Sequence, residues 1–259
     1  LKAQVSAVMQ QSISKGERLL LASAPPQVDE ELPETFRRLE YIDFDLDQYD
    51  LRGAATSLLE RAGHAKIGYF PDDCRQLEMY CANEAVFRSF QVRQQLRQCV
   101  SIDEDFLRIY EKLVVELLCP RLKAQMVEKL GTSEPVCFSY QYPPTLRLQP
   151  GRSQEFKRPH RDAEYGHQVG ELNFWMPLTN YSQMTRTTLL VESEPDLGDF
   201  RPLDIDYGTI AMFHGTLCQH KVPANTSDFT RASMDFRIGL GKYYDKEWAL
   251  KGLRGEHGR

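Results

Sequence analysis

The chain has no run of about 18 apolar residues, so no stretch of it reads as a membrane-spanning helix. Leu1 to Gln11 lacks the basic-then-apolar layout of a secretory signal. Basic residues are not in excess: 32 Lys and Arg stand against 37 Asp and Glu, a formal charge of −5. That removes the electrostatic case for a nucleic acid partner, because phosphate binding needs a basic face. No C-x-x-C pair occurs among the six cysteines, Cys74, Cys81, Cys99, Cys119, Cys137 and Cys218. Neither a zinc site nor a disulfide framework is therefore legible, and free thiols in a reducing cytoplasm are the simplest reading. Internal repeats and low-complexity tracts are lacking too. Asn180-Tyr181-Ser182 and Asn225-Thr226-Ser227 match the glycosylation pattern, but without a secretion signal both read as chance matches.

What is present is a globular composition. Over 259 residues, 41% are hydrophobic and 27% charged, enough to bury a core and ordinary for one β-rich enzyme domain with helical decoration. The pattern changes near residue 133. Before it, helical periods dominate. Ser101-Ile102-Asp103-Glu104 reads as a capping box with Ser101 as N-cap. Behind it Phe106, Ile109, Tyr110, Leu113, Val114, Leu117 and Leu118 form one apolar stripe. Pro120 is expected to kink or break this helix and Gly131 to end it. Further helices are expected over Asp73 to Gln98 and Gly53 to Ala62, while Asp43 to Tyr49 is too acidic and irregular to assign. After residue 133 short strands follow: Val136 to Tyr142, Thr145 to Gln149, Gly170 to Met176, Thr187 to Glu192, Gly208 to Phe213 and Arg231 to Leu240. Pro143-Pro144, Pro150-Gly151, Pro195 to Gly198 and Ala224 to Asp228 supply turns. Many short strands at close spacing indicate a sandwich or barrel. The expected organisation is one domain over 1–259: a mostly helical support region over 1–132, a β core over 133–241 and a tail over 242–259.

The chemistry-bearing pattern is His160-Arg161-Asp162, then a distant His220, then Arg231-Ala232-Ser233. Two imidazoles and one carboxylate on one face of a metal, with the other face open, suit a non-haem Fe(II) centre that must also bind O2 and a cosubstrate. On a strand, or a strand running into a loop, residues two apart put both side chains on one side. A downstream arginine suits a carboxylate-bearing cosubstrate, because its planar fork grips a carboxylate through two hydrogen bonds. On the last strand Arg231, Ser233, Asp235 and Arg237 share one face. Arg237 either faces the pocket mouth, pairing with Asp235 or a substrate carboxylate, or is solvated. The direction of Arg147 is not fixed by strand parity.

In these residues the sequence resembles the Fe(II)/2-oxoglutarate-dependent oxygenase superfamily. The third ligand has two candidates, His214 and His220. The stretch from Gly208 through Phe213-His214-Gly215 to His220 resembles that superfamily's late hairpin: a strand, a Phe-x-Gly turn, then the distal histidine. Arg231 also follows His220 by eleven residues, against seventeen from His214, and both features favour His220. The resemblance implies His160, Asp162 and His220 as catalytic Fe(II) ligands. It also implies Arg231 and Ser233 as the pair that holds the far carboxylate of 2-oxoglutarate. The strand Asn173-Phe174-Trp175-Met176-Pro177-Leu178 and the run Leu189-Leu190-Val191-Glu192 are similar to the branch typified by streptomycin-biosynthesis proteins. In that setting Asn173 contacts the cosubstrate. Trp175 walls the site or belongs to ordinary core.

The implied fold is α+β, mainly β: a double-stranded β-helix, the jelly-roll or cupin-like barrel, braced by N-terminal helices. The implied cofactors are Fe(II), 2-oxoglutarate as cosubstrate, and O2. Asp162 argues against chlorination, since halogenating members lack this carboxylate. Hydroxylation is the default outcome, with desaturation, epimerisation and ring closure sharing the same C–H abstraction. The expected substrate is a small polar metabolite of natural-product biosynthesis, and Glu164 with the acidic balance leans toward a cationic one. Glu164 and His167, beside the metal motif, are candidates for substrate recognition or are plain loop residues. A protein side-chain hydroxylase and a non-catalytic metal-binding barrel or sensor are the alternatives. The expected partner is a small molecule, with no nucleic acid and no membrane.

Overall fold

The computed structural model describes residues 28, 30–63, 66–72, 74–131, 136–180, 182 and 187–248. Leu1 to Gln11, Asp73, Tyr181 and the tail beyond Trp248 lie outside the described residues. In chain order the elements are β1 (Glu40–Asp43), α1 (Leu51–Ala62), β2 (Gly68–Tyr69), β3 (Cys81–Ala82), α2 (Glu84–Arg88), α3 (Phe90–Ile102), α4 (Glu104–Leu113) and α5 (Cys119–Leu130). Then come β4 (Phe138–Tyr140), β5 (Thr145–Gln149), β6 (Phe156–His160), β7 (Glu171–Pro177), β8 (Leu190–Val191), β9 (Arg201–Pro202), β10 (Thr209–Phe213), β11 (His220–Val222) and β12 (Arg231–Leu240). Among the described residues, every α-helix precedes residue 131 and antiparallel sheets carry the remainder.

The helices start and stop where local chemistry dictates. The Asp50 carboxylate accepts from the Gly53 amide to open α1, and Gly63 closes it in the left-handed region at φ 47°. Three expectations are corrected. Ser101 is not an N-cap: it lies inside α3, its hydroxyl donating to the Gln98 carbonyl. Asp103 caps α4 instead, accepting from the Phe106 amide at 3.0 Å, so the helix boundary falls two residues later. Pro120 does not break the helical run, because a π-helical turn over Val114–Leu118 precedes it and places it in the first turn of α5, where its missing N–H costs little. The stretch from Asp73 to Gln98 is not one helix. A short 3-10 turn over Leu77–Met79 leads into β3, and Ser89 at φ −85°, ψ 123° separates α2 from α3. Gly68 allows the β2–β3 hairpin: at φ +149° a Cβ there would sit 2.5 Å from the Cys81 carbonyl oxygen.

The larger sheet runs β1-β10-β7-β12-β4, with β5 also on β12. The smaller runs β6-β11-β8-β9. β12 is the spine, pairing with β7, β5 and β4, and all ten of its residues are buried. Alternation divides its faces. Ala232, Met234, Phe236 and Ile238, with Phe174 and Met176 of β7, join one core with the helices through residues such as Leu58, Val100, Phe106 and Tyr110. Tyr110 packs edge-on against Phe236 at 5.0 Å, and its hydroxyl donates to the Gln141 carbonyl at 2.6 Å. On the opposite face, Trp175, Ala211 and Phe213 meet Leu189, Val191, Leu203 and Cys218 in a second, smaller cluster. The smaller sheet thus packs on that opposite face of the larger one, against β7 and β10.

Candidate metal centre

Strands β6 and β11 pair antiparallel with His160 opposite His220, and their ring centroids stand 4.5 Å apart. Immediately after His160 the chain enters a short 3-10 turn, Asp162–Tyr165. The turn is tied down by the Asp162 amide donating to the Gly215 carbonyl at 2.9 Å. One donor atom from each of His160, Asp162 and His220 lies within 4.8 Å of the other two. Nε2 of His220 and Oδ1 of Asp162 are 3.4 Å apart.

The surrounding bonds set the direction of each donor. Nδ1 of His160 faces the Arg158 carbonyl and Nδ1 of His220 the Cys218 carbonyl, each at 3.3 Å. A carbonyl only accepts, so Nδ1 is the donor to it in both rings, and Nε2 is the ring atom left to face a cation. Asp162 is 2% exposed. Its Oδ2 accepts from Asn173 Nδ2 at 2.6 Å and from Arg237 Nε and Nη2 at 2.9 and 2.7 Å. Oδ1 is the oxygen turned toward the histidines. Burial pushes the Asp162 carboxyl up, but Arg237, then His220 and His167, outweigh it and hold it well below the usual carboxylate range. It is therefore an anion here, as a ligand must be.

His214 is not brought to this cluster. It is 1% exposed, with Nε2 2.8 Å from the Val169 carbonyl, and burial lowers its pKa to about 4. Gly215, next to it, admits no side chain: a Cβ would lie 2.7 Å from Cγ of Asn173.

A cavity of about 150 Å³ opens beside the three donors. Arg231 lines it, buried on β12, with Nη1 donating to the Gln149 side chain at 3.0 Å. Its Nε and Nη2 have no hydrogen-bond partner among the described residues. Those two donors form one bidentate edge of the guanidinium, the edge a carboxylate takes. Burial first, then Arg147, brings its pKa down to about 10, against the pull of Asp235, so it stays cationic. The Ser233 hydroxyl, on the same face of β12 though not among the cavity-lining residues, and Nε1 of the cavity-lining Trp175 are also buried without hydrogen-bond partners among the described residues. The Arg231 guanidinium stands 5.5 Å from the Trp175 ring. Buried donors left unpaired are costly unless a ligand completes them, and this set fits an acidic small molecule next to a cation.

The other expected residues fall as follows. Arg237 is neither solvated nor free for substrate, since its buried fork holds Asp162. It approaches Asp235 at 3.7 Å. Asn173 gives its amide nitrogen to Asp162, and its Oδ1 has no hydrogen-bond partner among the described residues. Arg147 points toward Asp235, bonded at 2.7 and 2.9 Å. Glu164 and His167 are not among the cavity-lining residues. Glu164 accepts from the Arg161 amide and from Arg158 Nη2, and Nδ1 of His167 lies 2.6 Å from Glu171. Sequence reading missed Gln149 and Gln141, which support Arg231 and Arg237. Gln149 shares a face of β5 with Arg147, a parity that becomes informative only once β5 is known to pair with β12 and to set Gln149 opposite Arg231.

No protein-family model matches the chain. The streptomycin biosynthesis protein StrG of Streptomyces griseus is 29% identical over 129 residues, 50% of this chain and 54% of that protein. The chain thus spans about half the length of the relative it matches. The resemblance to streptomycin-biosynthesis proteins read from the strand motifs is found again in StrG. Among solved structures, the non-heme alpha ketoglutarate dependent carbocyclase SnoK from nogalamycin biosynthesis is 18% identical, with 83% of this chain and 87% of that one covered at a TM-score of 0.43. EctD from S. alaskensis with bound Fe is 16% identical, over 86% and 85% of the two chains, also at 0.43.

Proposed function

We propose that this chain is a non-haem Fe(II)/2-oxoglutarate-dependent oxygenase, a single domain whose two sheets form a double-stranded β-helix. One observation carries the reading: two imidazoles and one ionised carboxylate converge beside a buried guanidinium whose carboxylate-binding edge has no hydrogen-bond partner among the described residues. His160 and His220 present Nε2, and Asp162 presents Oδ1, to the iron. Arg231 and Ser233 take the far carboxylate of 2-oxoglutarate, with Trp175 as the wall. Arg237 and Asn173 keep Asp162 ionised and aimed. The smaller sheet and its apolar cluster keep bulk water from the centre. When bound, the iron with 2-oxoglutarate and O2 supplies the oxidising power to break a C–H bond, with succinate and CO2 as co-products. The carboxylate ligand leaves no place for halide, so the product is hydroxylated, desaturated or cyclised. The similarity to StrG supports a small polar metabolite of natural-product biosynthesis as substrate.

The test is anaerobic. Fe(II) and 2-oxoglutarate added together should produce a visible charge-transfer band that neither gives alone with the protein. A colourless ternary mixture, with no succinate formed in air, would leave the oxygenase reading without support.

A further inference from the structure

Helix α3 presents two faces. Val92, Leu96 and Val100 recur every fourth residue and are buried in the main core. Phe90, Arg93, Gln94 and Arg97 follow a second stripe, at i, i+3, i+4 and i+7, and all four line the cavity. Three of these are polar, as the outer stripe of a helix normally is. Phe90 is the exception: a large apolar side chain, 39% exposed. Phe87, in the last turn of α2, is half-buried and lines the same cavity. Neither ring belongs to the two apolar clusters of the described residues, although their neighbours Val86 and Val92 do. The corner that carries them is tied. Ser89 separates the two helices, Arg93 Nη1 donates across it to the Phe87 carbonyl at 3.1 Å, and both helices lie against β5.

Resting on the oxygenase reading, we propose that the substrate has an apolar portion, a ring or a hydrocarbon chain, that covers Phe87 and Phe90 at the α2–α3 corner. A carbon elsewhere in the same molecule faces His160, Asp162 and His220. A side chain that is both exposed and cavity-lining stands at the mouth, and its apolar surface gains when a ligand removes it from water. Small-molecule sites are lined chiefly by apolar and aromatic side chains, with few polar groups to fix orientation. The apolar lining continues to the metal donors: Phe213, also in the cavity wall, packs edge-on against His220 at 5.7 Å. The polar metabolite proposed above is then amphiphilic. The helical region before β4 thereby becomes the part that selects the substrate, through a corner whose two rings add nothing to the described apolar clusters.

The experiment uses protein loaded anaerobically with Fe(II) and saturating 2-oxoglutarate. It is titrated separately with benzyl alcohol, 1-hexanol and myo-inositol, following the shift of the visible band and heat. At least one of the two apolar probes is expected to bind the loaded wild type, and which one binds separates a ring from a chain. Myo-inositol, a ring without apolar surface, should bind more weakly. The F87A/F90A double variant should weaken binding of the apolar probe at least about tenfold while keeping the band. Tyr69→Ala, at an exposed aromatic of β2 away from the cavity lining, should leave it unchanged. If the double variant loses the band, F90A alone, at the more exposed ring, carries the comparison. No binding of either apolar probe to the loaded wild type, tighter binding of myo-inositol, or equal binding by the phenylalanine variants overturns the proposal. Failure of the wild type to form the band is a distinct result, which removes the oxygenase reading and this inference with it.

Discussion

Arg237 and Asp162 lie 75 residues apart in the chain and meet through Nη2 and Oδ2 at 2.7 Å. Their side chains are 6% and 2% exposed. The pair joins the spine of the larger sheet to the turn that follows β6. It also divides the work of one carboxylate. Oδ2 is saturated by Arg237 and Asn173, so Oδ1 alone is left for a cation.

Breaking that pair should be costly in two ways. Arg237→Ala leaves a buried carboxylate without its main counter-charge, a change that typically costs about 3–5 kcal/mol. It should also weaken Fe(II) affinity by about 10- to 100-fold, the usual price of losing an outer partner of a ligand. Arg237→Lys restores charge without the fork and should recover part of both. Denaturant unfolding and competition against a chelator read the two effects separately. Unchanged metal affinity in Arg237→Ala would show that Asp162 needs no such support.

Gly215 acts on the same carboxylate from the other side. A methyl group there would fall 2.7 Å from Cγ of Asn173, so Gly215→Ala must push that side chain off its 2.6 Å bond to Asp162. A loss of about 1–3 kcal/mol is expected from the overpacking, with weaker metal binding. In the background of Asn173→Ala the same substitution should cost clearly less, because the clash is gone. Additive effects across that double-mutant cycle would mean that Gly215 matters for another reason.

Much of this centre was legible in the sequence because strand periodicity is strict. Alternation on β12 placed Arg231, Ser233, Asp235 and Arg237 on one face, as found. The two-residue spacing of His160 and Asp162 implied a shared side, and the Phe213-His214-Gly215 turn implied that His220, rather than His214, reaches the cluster. What could not be read was pairing across long sequence distances. Arg237 looked equally suited to solvent or substrate, since nothing local names Asp162 as its partner. β1 went unread because Glu40–Asp43 becomes a strand only by adding to β10. Ser101 read as the N-cap by its motif, whereas the preceding helix runs on through it and Asp103 opens the next one.

His214 supplies a pH dependence. Its pKa is lowered from 6.5 to about 4, mainly by burial. The folded state therefore favours the neutral ring, while the unfolded chain takes up a proton below about pH 6.5. Its contribution to stability is complete above that pH and is lost as pH falls toward 4, by at most about 3 kcal/mol. His214→Gln can still donate to the Val169 carbonyl but does not titrate. The unfolding free energy of wild type should fall more steeply than that of the variant between pH 6.5 and 4. Parallel curves would show that His214 is not protonated on unfolding.

Arg231 gives the sharpest separation of roles. Its bidentate edge has no partner among the described residues, so removing it deletes no internal ion pair. Arg231→Gln should leave Fe(II) affinity close to wild type. It should raise the Kd for 2-oxoglutarate by about 1.5–3 kcal/mol, the usual worth of hydrogen bonds to a charged group, or about 10- to 150-fold. Arg231→Lys keeps the charge but not the fork and should fall between. Stability should change little or improve, because a buried cation without a counter-ion is relieved. Titrating 2-oxoglutarate into the Fe(II) protein without oxygen, with the visible band as signal, measures this directly. The decisive comparison is with His220→Ala, which should abolish the band by losing the metal. If Arg231→Gln instead lost iron and kept its affinity for the cosubstrate, the assignment of this arginine to the far carboxylate would be wrong.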